Sequence, residues 1–337
     1  MKRLLRRLFG AAVTGLPMGL LRRWLAWSTR DLCVALCFHR VGAQKRAADP
    51  YPELTTPAAV LDELLSSLTR SVPRAPAQVF LCFDDGYADA AKYITSRAAA
   101  YPAVHWLFFV CPQKTEQRAV FRWNLYEAIA AGPRSRAELD RSLDAGLDID
   151  SENSRPELRR VAEGDTFQLA TVGECSSLAA LRNVSLGNHT NCHFRLTALP
   201  AEQARRELKN SIADFERLWG TCRHLAFPFG APIEDFTDDH VKIINQLRPM
   251  LSWSTQQRLF SPEEIAAGNV LPRLTVYQFG NVKAMLTKIC VLATLARRRK
   301  RRAASRAEIA LGQPRTGAPD ASTGPQQAGV RSDAVAF

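Results

Sequence analysis

Residues 79–87 read VFLCFDDGY. A continuous apolar run ends in two adjacent carboxylates, a glycine and a tyrosine. An uninterrupted apolar run of this length suits a strand buried on both faces, the kind found in parallel sheets. CVALCF at 33–38 and VHWLFFV at 104–110 have the same character. Helical spacing runs through 57–70 (PAAVLDELLSSLTR), 88–99 and 200–218. Pro200 opens the last of these, and Glu202, Glu207 and Lys209 mark its wet face. Strands alternating with helices predict an α/β architecture, as an open sheet or a barrel. Residues 112–178 break the rhythm. They are polar and charged, carry the aromatic patch FRWNLYEAI, and read as an insertion, a candidate lid over a site.

The chain has 337 residues, 46% hydrophobic and 23% charged, enough for one large domain with a substantial core. Its eight cysteines are scattered, without zinc-finger or redox-pair spacing. They predict reduced, buried thiols and a cytoplasmic protein. Cys33 and Cys37 would point to one side of their strand.

The net charge of +12 is unevenly placed. Residues 1–30 carry seven Lys/Arg and no acid; residues 281–310 carry nine against Glu308 alone. The tail 311–337 balances at zero, which leaves 31–280 at −3. A slightly acidic body, residues 31–280, is therefore flanked by two basic amphipathic segments, 1–30 and 281–310. The uncharged stretch Leu8–Leu21 is too short to span a bilayer. Basic clusters beside apolar residues predict peripheral contact with an anionic membrane, with a plain solvated helix as the alternative. Nucleic acid is the weaker partner, since no aromatic or glycine-rich RNA-binding pattern accompanies the charge. The 311–337 tail, rich in Gly, Pro, Ala, Gln and Ser, reads as disordered.

The chemistry is expected where strands end. Asp84 and Asp85 directly follow VFLCF, and Gly86 permits a tight turn. A second probable strand end, VSLGNHTNCHF at 184–194, carries His189 and His193 four residues apart. On one helical turn such a pair faces one way and can hold a metal ion. A divalent cation held by both histidines and one aspartate would favour the carboxylate pair. The other aspartate would then serve as general base toward water activated by the metal. The plain alternative is that the aspartates cap the helix starting near Ala88 while the histidines make ordinary hydrogen bonds.

FDDGY, then HTNCH, then FPFG at 227–230, resembles the polysaccharide deacetylases with NodB homology (carbohydrate esterase family 4), over roughly residues 33–275. The resemblance implies a distorted (β/α) barrel of about seven parallel strands. It implies hydrolysis of an N-acyl group, N-acetyl foremost, from a saccharide, with one divalent metal ion. Zinc comes first for this donor set, which also accepts cobalt, nickel or iron. By position, Asp84 matches the general base, Asp85, His189 and His193 the metal ligands, and the Phe229 N–H the oxyanion contact. Thr190 fits the small polar residue after the first histidine. CFHRV at 37–41 is similar to the first-strand signature of the exopolysaccharide-synthesis members and puts His39 near the rim of the site.

Two departures bear on mechanism. Ala226 stands where the third motif usually has arginine, and 270–276 (VLPRLTV) offers Arg273 but not the usual last-strand histidine. Lineages acting in polysaccharide and lipopolysaccharide assembly resemble this LPR pattern. It implies that Arg273 takes the missing arginine's place near Asp84, with His39 the first candidate for the catalytic acid. Two functions stand open: a deacetylase of a bacterial envelope polysaccharide or lipid-linked saccharide, at the cytoplasmic membrane face, and an inactive saccharide-binding or assembly protein of the same fold.

Overall fold

The computed structural model describes residues 16–42, 54–69, 77–119, 121, 124, 167–268, 270–275 and 281–312, with side chains through 298 in the last stretch. Most of the expected insertion, the first half of the N-terminal basic segment and nearly all of the 311–337 tail lie outside them.

Eight parallel strand segments form one sheet: β1 (Cys33–Phe38), β2 (Gln78–Phe83), β3 (Val104–Val110), β4 (Val184–Asn188), β5 (His224–Ala226), β6 (Leu251–Ser254), β7 (Leu271–Pro272) and β8 (Leu274–Thr275). Their order around the sheet is β8-β1-β2-β3-β4-β5-β6-β7. β7 and β8 are two halves of one stretch, broken at Arg273. The first half pairs with β6 through Trp253–Leu271 and Ser254–Pro272. The second pairs with β1 through Leu36–Leu274 and Cys37–Thr275. One broken strand thus joins both edges and closes the sheet into a (β/α) barrel of seven strand positions, which leaves no unpaired edge.

The strand sequences explain the two cores. Successive side chains alternate between faces. Cys33 and Ala35 join Phe80, Cys82, Leu107, Phe109, Ala226, Trp253 and Leu271 in one buried cluster, the barrel interior. Val34, Leu36 and Phe38 join Leu81, Phe83, Trp106 and Phe108 in the other, beneath the helices. All eight cysteines are free thiols, and seven are buried.

The covering helices are α1 (Met18–Thr29), α2 (Ala58–Thr69), α3 (Ala88–Arg97), α4 (Val172–Ala179), α5 (Ala201–Trp219), α6 (Asp238–Leu247) and α7 (Val282–Gly312). α5 shows why the chain coils here: Ala204, Leu208, Ser211, Ile212 and Phe215 form one buried stripe after Pro200, and Gly220 ends the helix at φ 81°. α1 and α7 contribute Leu21, Leu25, Met285, Leu286 and Ile289 to the same cluster as the strands. The apolar faces of both basic segments therefore pack inward. Among the described residues, no helix is long and apolar enough to cross a membrane.

Gly187 in β4 lies opposite Phe109 in β3. A Cβ there would sit 2.4 Å from the Phe109 ring and 3.2 Å from His224 Cβ. Gly187→Ala should destabilise the barrel by about 1–3 kcal/mol, the usual cost of overpacking, read as a lower denaturant midpoint at unchanged slope.

Candidate functional site

The C-terminal ends of β1, β2 and β4, with the loop after β5, bring the predicted residues together. Asp84 still belongs to the ladder, its N–H donating to Phe38 O at 2.9 Å. The chain then turns through Asp85 (φ 71°) and Gly86 (φ 77°). Gly86 adopts this left-handed backbone without penalty, whereas Asp85 is strained there and must be held by its surroundings. Two residues of the expected insertion do part of this: Gly86 O accepts from Ala170 N (2.8 Å) and Ala88 N donates to Gln168 O (2.9 Å). The aspartates do not cap α3; its first flanking residue is Tyr87, which makes no side-chain cap.

The histidine pair corrects one expectation. His189 and His193 lie in a loop after β4, not on a helical turn, with Thr190 (φ 61°) and His193 (φ 59°) in left-handed backbone. Side chains fix this loop where no ladder can. Asn188 Oδ1 accepts from Thr190 N (2.6 Å), and Thr190 Oγ1 accepts from His193 N (3.2 Å). Glu207 Oε1 accepts from the N–H groups of both Asn191 (2.8 Å) and Cys192 (2.7 Å), and Asn191 Nδ2 donates to Asp214 (2.7 Å). Glu207, expected on the wet face of α5, therefore turns toward the loop, whose exposed amides need an acceptor. Its spacing on the helix gave no sign of this. Only the loop's lack of ladder partners could have.

One carboxylate and two imidazoles converge. Asp85, His189 and His193 each present a donor atom within 4.8 Å of the others, and all three are buried. Asp85 Oδ1 stands 3.6 Å from His189 Nε2 and 3.2 Å from His193 Nε2. His189 Nδ1 lies 2.8 Å from Ala226 O. A carbonyl can only accept, so Nδ1 carries the proton and Nε2 turns a lone pair toward the carboxylate. Burial lowers the pKa of His189 to about 4 and of His193 to about 3, so both rings are neutral at pH 7. Among the described residues, no hydrogen-bond donor meets the buried acceptor Asp85 Oδ1. A carboxylate oxygen facing an imidazole lone pair is repulsive unless a cation lies between them, so the donor set fits a divalent ion.

Asp84 is neutralised differently. Arg273 Nη1 lies 2.5 Å from its Oδ1, and both side chains are buried. Burial alone would raise the Asp84 pKa, but Arg273, then His189 and His39, outweigh it and hold the carboxyl well below the usual range. At Asp85 burial wins and pushes the pKa up, against the pull of His39, His189 and Arg40. Cys37 Sγ donates to Asp84 Oδ2 at 3.4 Å, a contact hidden in the apolar run CVALCF. Arg273 is placed by its Nε bond to Ser254 O (3.3 Å) and by the Phe109 ring (5.1 Å). His39, half-buried at the end of β1, has its pKa lowered by burial, against the opposing pull of Asp85 and Asp84.

Aromatic rings wall the site. His193 meets the Phe121 ring at 5.5 Å and the Phe229 ring at 5.0 Å, both edge-on. Phe121 opens the FRWNLYEAI patch, so at least this residue of the expected insertion borders the site. Phe229 is left-handed (φ 60°), capped by Arg195 at 4.3 Å, and its carbonyl accepts from Thr255 Oγ1 (2.9 Å). Arg195 pairs with Asp235, which accepts from Ala231 N (2.6 Å), so ion pair and loop are fixed together. The remaining late histidines lie elsewhere: His224 accepts from the Trp253 indole (3.3 Å), and His240 caps α6 through Thr237 N (3.0 Å).

No protein-family model and no curated protein matches the sequence. Among solved structures, the fold is similar to a Streptococcus pyogenes deacetylase, PplD, in complex with acetate, at TM-score 0.51 and 14% identity, covering 77% of this chain and 98% of that one. IcaB from Ammonifex degensii matches at TM-score 0.47 and 16% identity, over 78% and 97% of the two chains. At this identity the first of these establishes a shared fold.

Two outcomes follow from the geometry. Reconstituted protein should hold about one divalent transition-metal ion per chain, lost in His189→Ala and Asp85→Ala, by mass spectrometry of the desalted protein. Saturating metal, at about 100 Kd, should stabilise wild type by about 2.7 kcal/mol in denaturant unfolding and leave those variants unmoved. Arg273→Met would strand Asp84 unpaired beside Asp85. It should cost about 3–5 kcal/mol at neutral pH, read by the same unfolding assay.

Proposed function

We propose that the chain is a metal-dependent hydrolase that removes an N-acyl group, N-acetyl foremost, from a sugar of a bacterial envelope polysaccharide or lipid-linked saccharide. The observation that carries this reading is the juxtaposition at one barrel mouth of a buried Asp85–His189–His193 donor set and an Asp84 kept ionised by Arg273. The fold shared with a deacetylase bound to acetate supports it, as does the ordered occurrence of FDDGY, HTNCH and FPFG.

A divalent ion at the three donors, zinc first, would polarise the acyl carbonyl and lower the pKa of water. The protein's own groups then divide the work. Asp84, 3.8 Å from His189 Nε2 through its Oδ2, lies beside the donor set and takes the proton from the attacking water. Arg273 keeps Asp84 ionised in a buried site and aims it through the 2.5 Å contact at Oδ1, which leaves Oδ2 turned toward the donors. The Phe229 N–H, in the left-handed turn beside His193, donates to the oxygen on which charge develops. His39, reachable from solvent at the end of β1, gives a proton to the departing nitrogen as the C–N bond breaks, leaving a free amine and a carboxylate. The rings of Phe121 and Phe229 exclude water beside His193 and strengthen these charge interactions.

One observation favours a binding protein instead. Burial lowers the pKa of His39, which weakens it as a proton donor. Acetate and formate release from N-acylated oligosaccharides by metal-loaded enzyme decides between the readings. Turnover should fall about 10²–10⁴-fold in Asp84→Asn with metal content unchanged. His39→Ala should lower kcat with little change in KM. Saccharide binding by wild type without any release of acid would overturn the hydrolase and leave the binding protein.

A further inference from the structure

The two basic helices form a built surface on the side of the barrel. α1 and α7 run parallel, in contact at every turn: Cys290 Sγ to Leu21 O, Trp24 Nε1 to Thr294 Oγ1 (3.1 Å), and Arg297 to Trp27 O. Their inner faces are spent on the core through Leu21, Leu25, Met285, Leu286, Ile289 and Ala293. What remains outside is unusual for this molecule. Besides Gly19, the exposed positions on α1 are Leu20, Arg23, Trp27 and, just past its end, Arg30. Spaced three or four apart, they line one face and alternate apolar with basic. Leu295 is exposed on α7. Of the five exposed large hydrophobics among the described residues, Leu20 (52%), Trp27 (51%) and Leu295 (46%) lie on this pair.

We propose that this outer flank of α1 and α7 docks on an anionic lipid bilayer. Charge selects the partner. Residues 16–30 and 281–297 carry six Lys/Arg and no acid, while residues 31–280, Asp31 included, sum to −3, so the positive field belongs to this flank and not to the body. Arg297 spends part of its charge on Asp31 (3.3 Å) and lies over the Trp27 ring at 5.1 Å. This leaves an amphipathic indole next to guanidinium groups. That combination suits the headgroup layer, where indole rings partition and Lys/Arg meet anionic phosphate. A duplex would use the arginines but offers nothing to two exposed leucines. A second copy of the chain would bring like charge against like. The inference stands independently of the reading of the catalytic site.

The full chain is spun with vesicles of phosphatidylcholine alone and with phosphatidylglycerol added, at about 0.1 M salt. Wild type should sediment with the anionic vesicles only. Arg23→Glu/Arg30→Glu should weaken binding about tenfold or more, and Leu20→Ser/Leu295→Ser several-fold. Vesicles should shift tryptophan emission to the blue in wild type and not in Trp27→Phe. All substituted side chains are exposed, so thermal midpoints should hold and report folding. The proposal is overturned if wild type stays in the supernatant. It is equally overturned if both double variants bind like wild type, or if the arginines retain the chain on duplex DNA while vesicles float free.

Discussion

The Arg273–Asp84 ion pair joins fold to chemistry. Arg273 is the single residue between β7 and β8, so it sits where the last strand leaves β6 and takes up β1, the point at which the barrel closes. Its N–H and Nε both reach Ser254 O, at 3.0 and 3.3 Å, and its Nη1 reaches the carboxylate at the end of β2. A buried guanidinium without a carboxylate would be costly, and so would a buried Asp84 without the guanidinium. Closure and the ionised base thus require each other. An open sheet would carry Arg273 away from Asp84. An apolar residue at 273 would leave Asp84 without its guanidinium at the point of closure.

Much of this was legible in the sequence, for definable reasons. The runs at 33–38 and 104–110 became strands at those bounds, because a strand buried on both faces leaves an uninterrupted apolar signature. The helix expected over 200–218 forms at 201–219, its period carried by five buried positions. The aspartate and histidine motifs met as their order implied. What the residues hid was non-local. His189 and His193 share a site through left-handed loop backbone, which leaves no periodic trace, and their separation of four would have read equally well as a helical turn. Glu207 looks like any exposed helical glutamate until the loop's unsatisfied amides are seen beside it. Cys37 reads as core, and is, yet it also donates to Asp84. That the last strand is split at Arg273 follows from the spacing of β6 and β1, which no local pattern encodes.

The basic ends illustrate how one segment can meet two demands. Read alone, the apolar residues of both segments could all have been lipid-facing. In the folded chain Leu21, Leu25, Met285, Leu286, Ile289 and Ala293 complete the core, since burial against packed protein is available without a partner. Only the residues that the core cannot reach stay outside, and these retain the basic-apolar alternation. The amphipathic pattern therefore encodes packing first, and any surface role rests on what packing leaves over.

The same accounting applies to the site. Asp84 and Asp85 bring two negative charges into a buried pocket; Arg273 pairs with Asp84, Asp85 feels Arg40 less than its own burial, and the histidines are neutral at pH 7. A carboxylate whose burial outweighs the pull of its neighbours is costly in an aromatic-walled pocket. The molecule could escape by protonating a carboxylate, and the raised pKa of Asp85 moves in that direction. Asp84 cannot take that route because Arg273 holds it ionised. The two adjacent aspartates are thus pushed apart in character, one committed to charge and one in need of a cation. A divalent ion at Asp85, His189 and His193 would remove the deficit at the residue that carries it. The strained backbone at Asp85 and His193 points the same way: the fold holds three donors together, with the His189 lone pair facing the Asp85 carboxylate until a cation joins them.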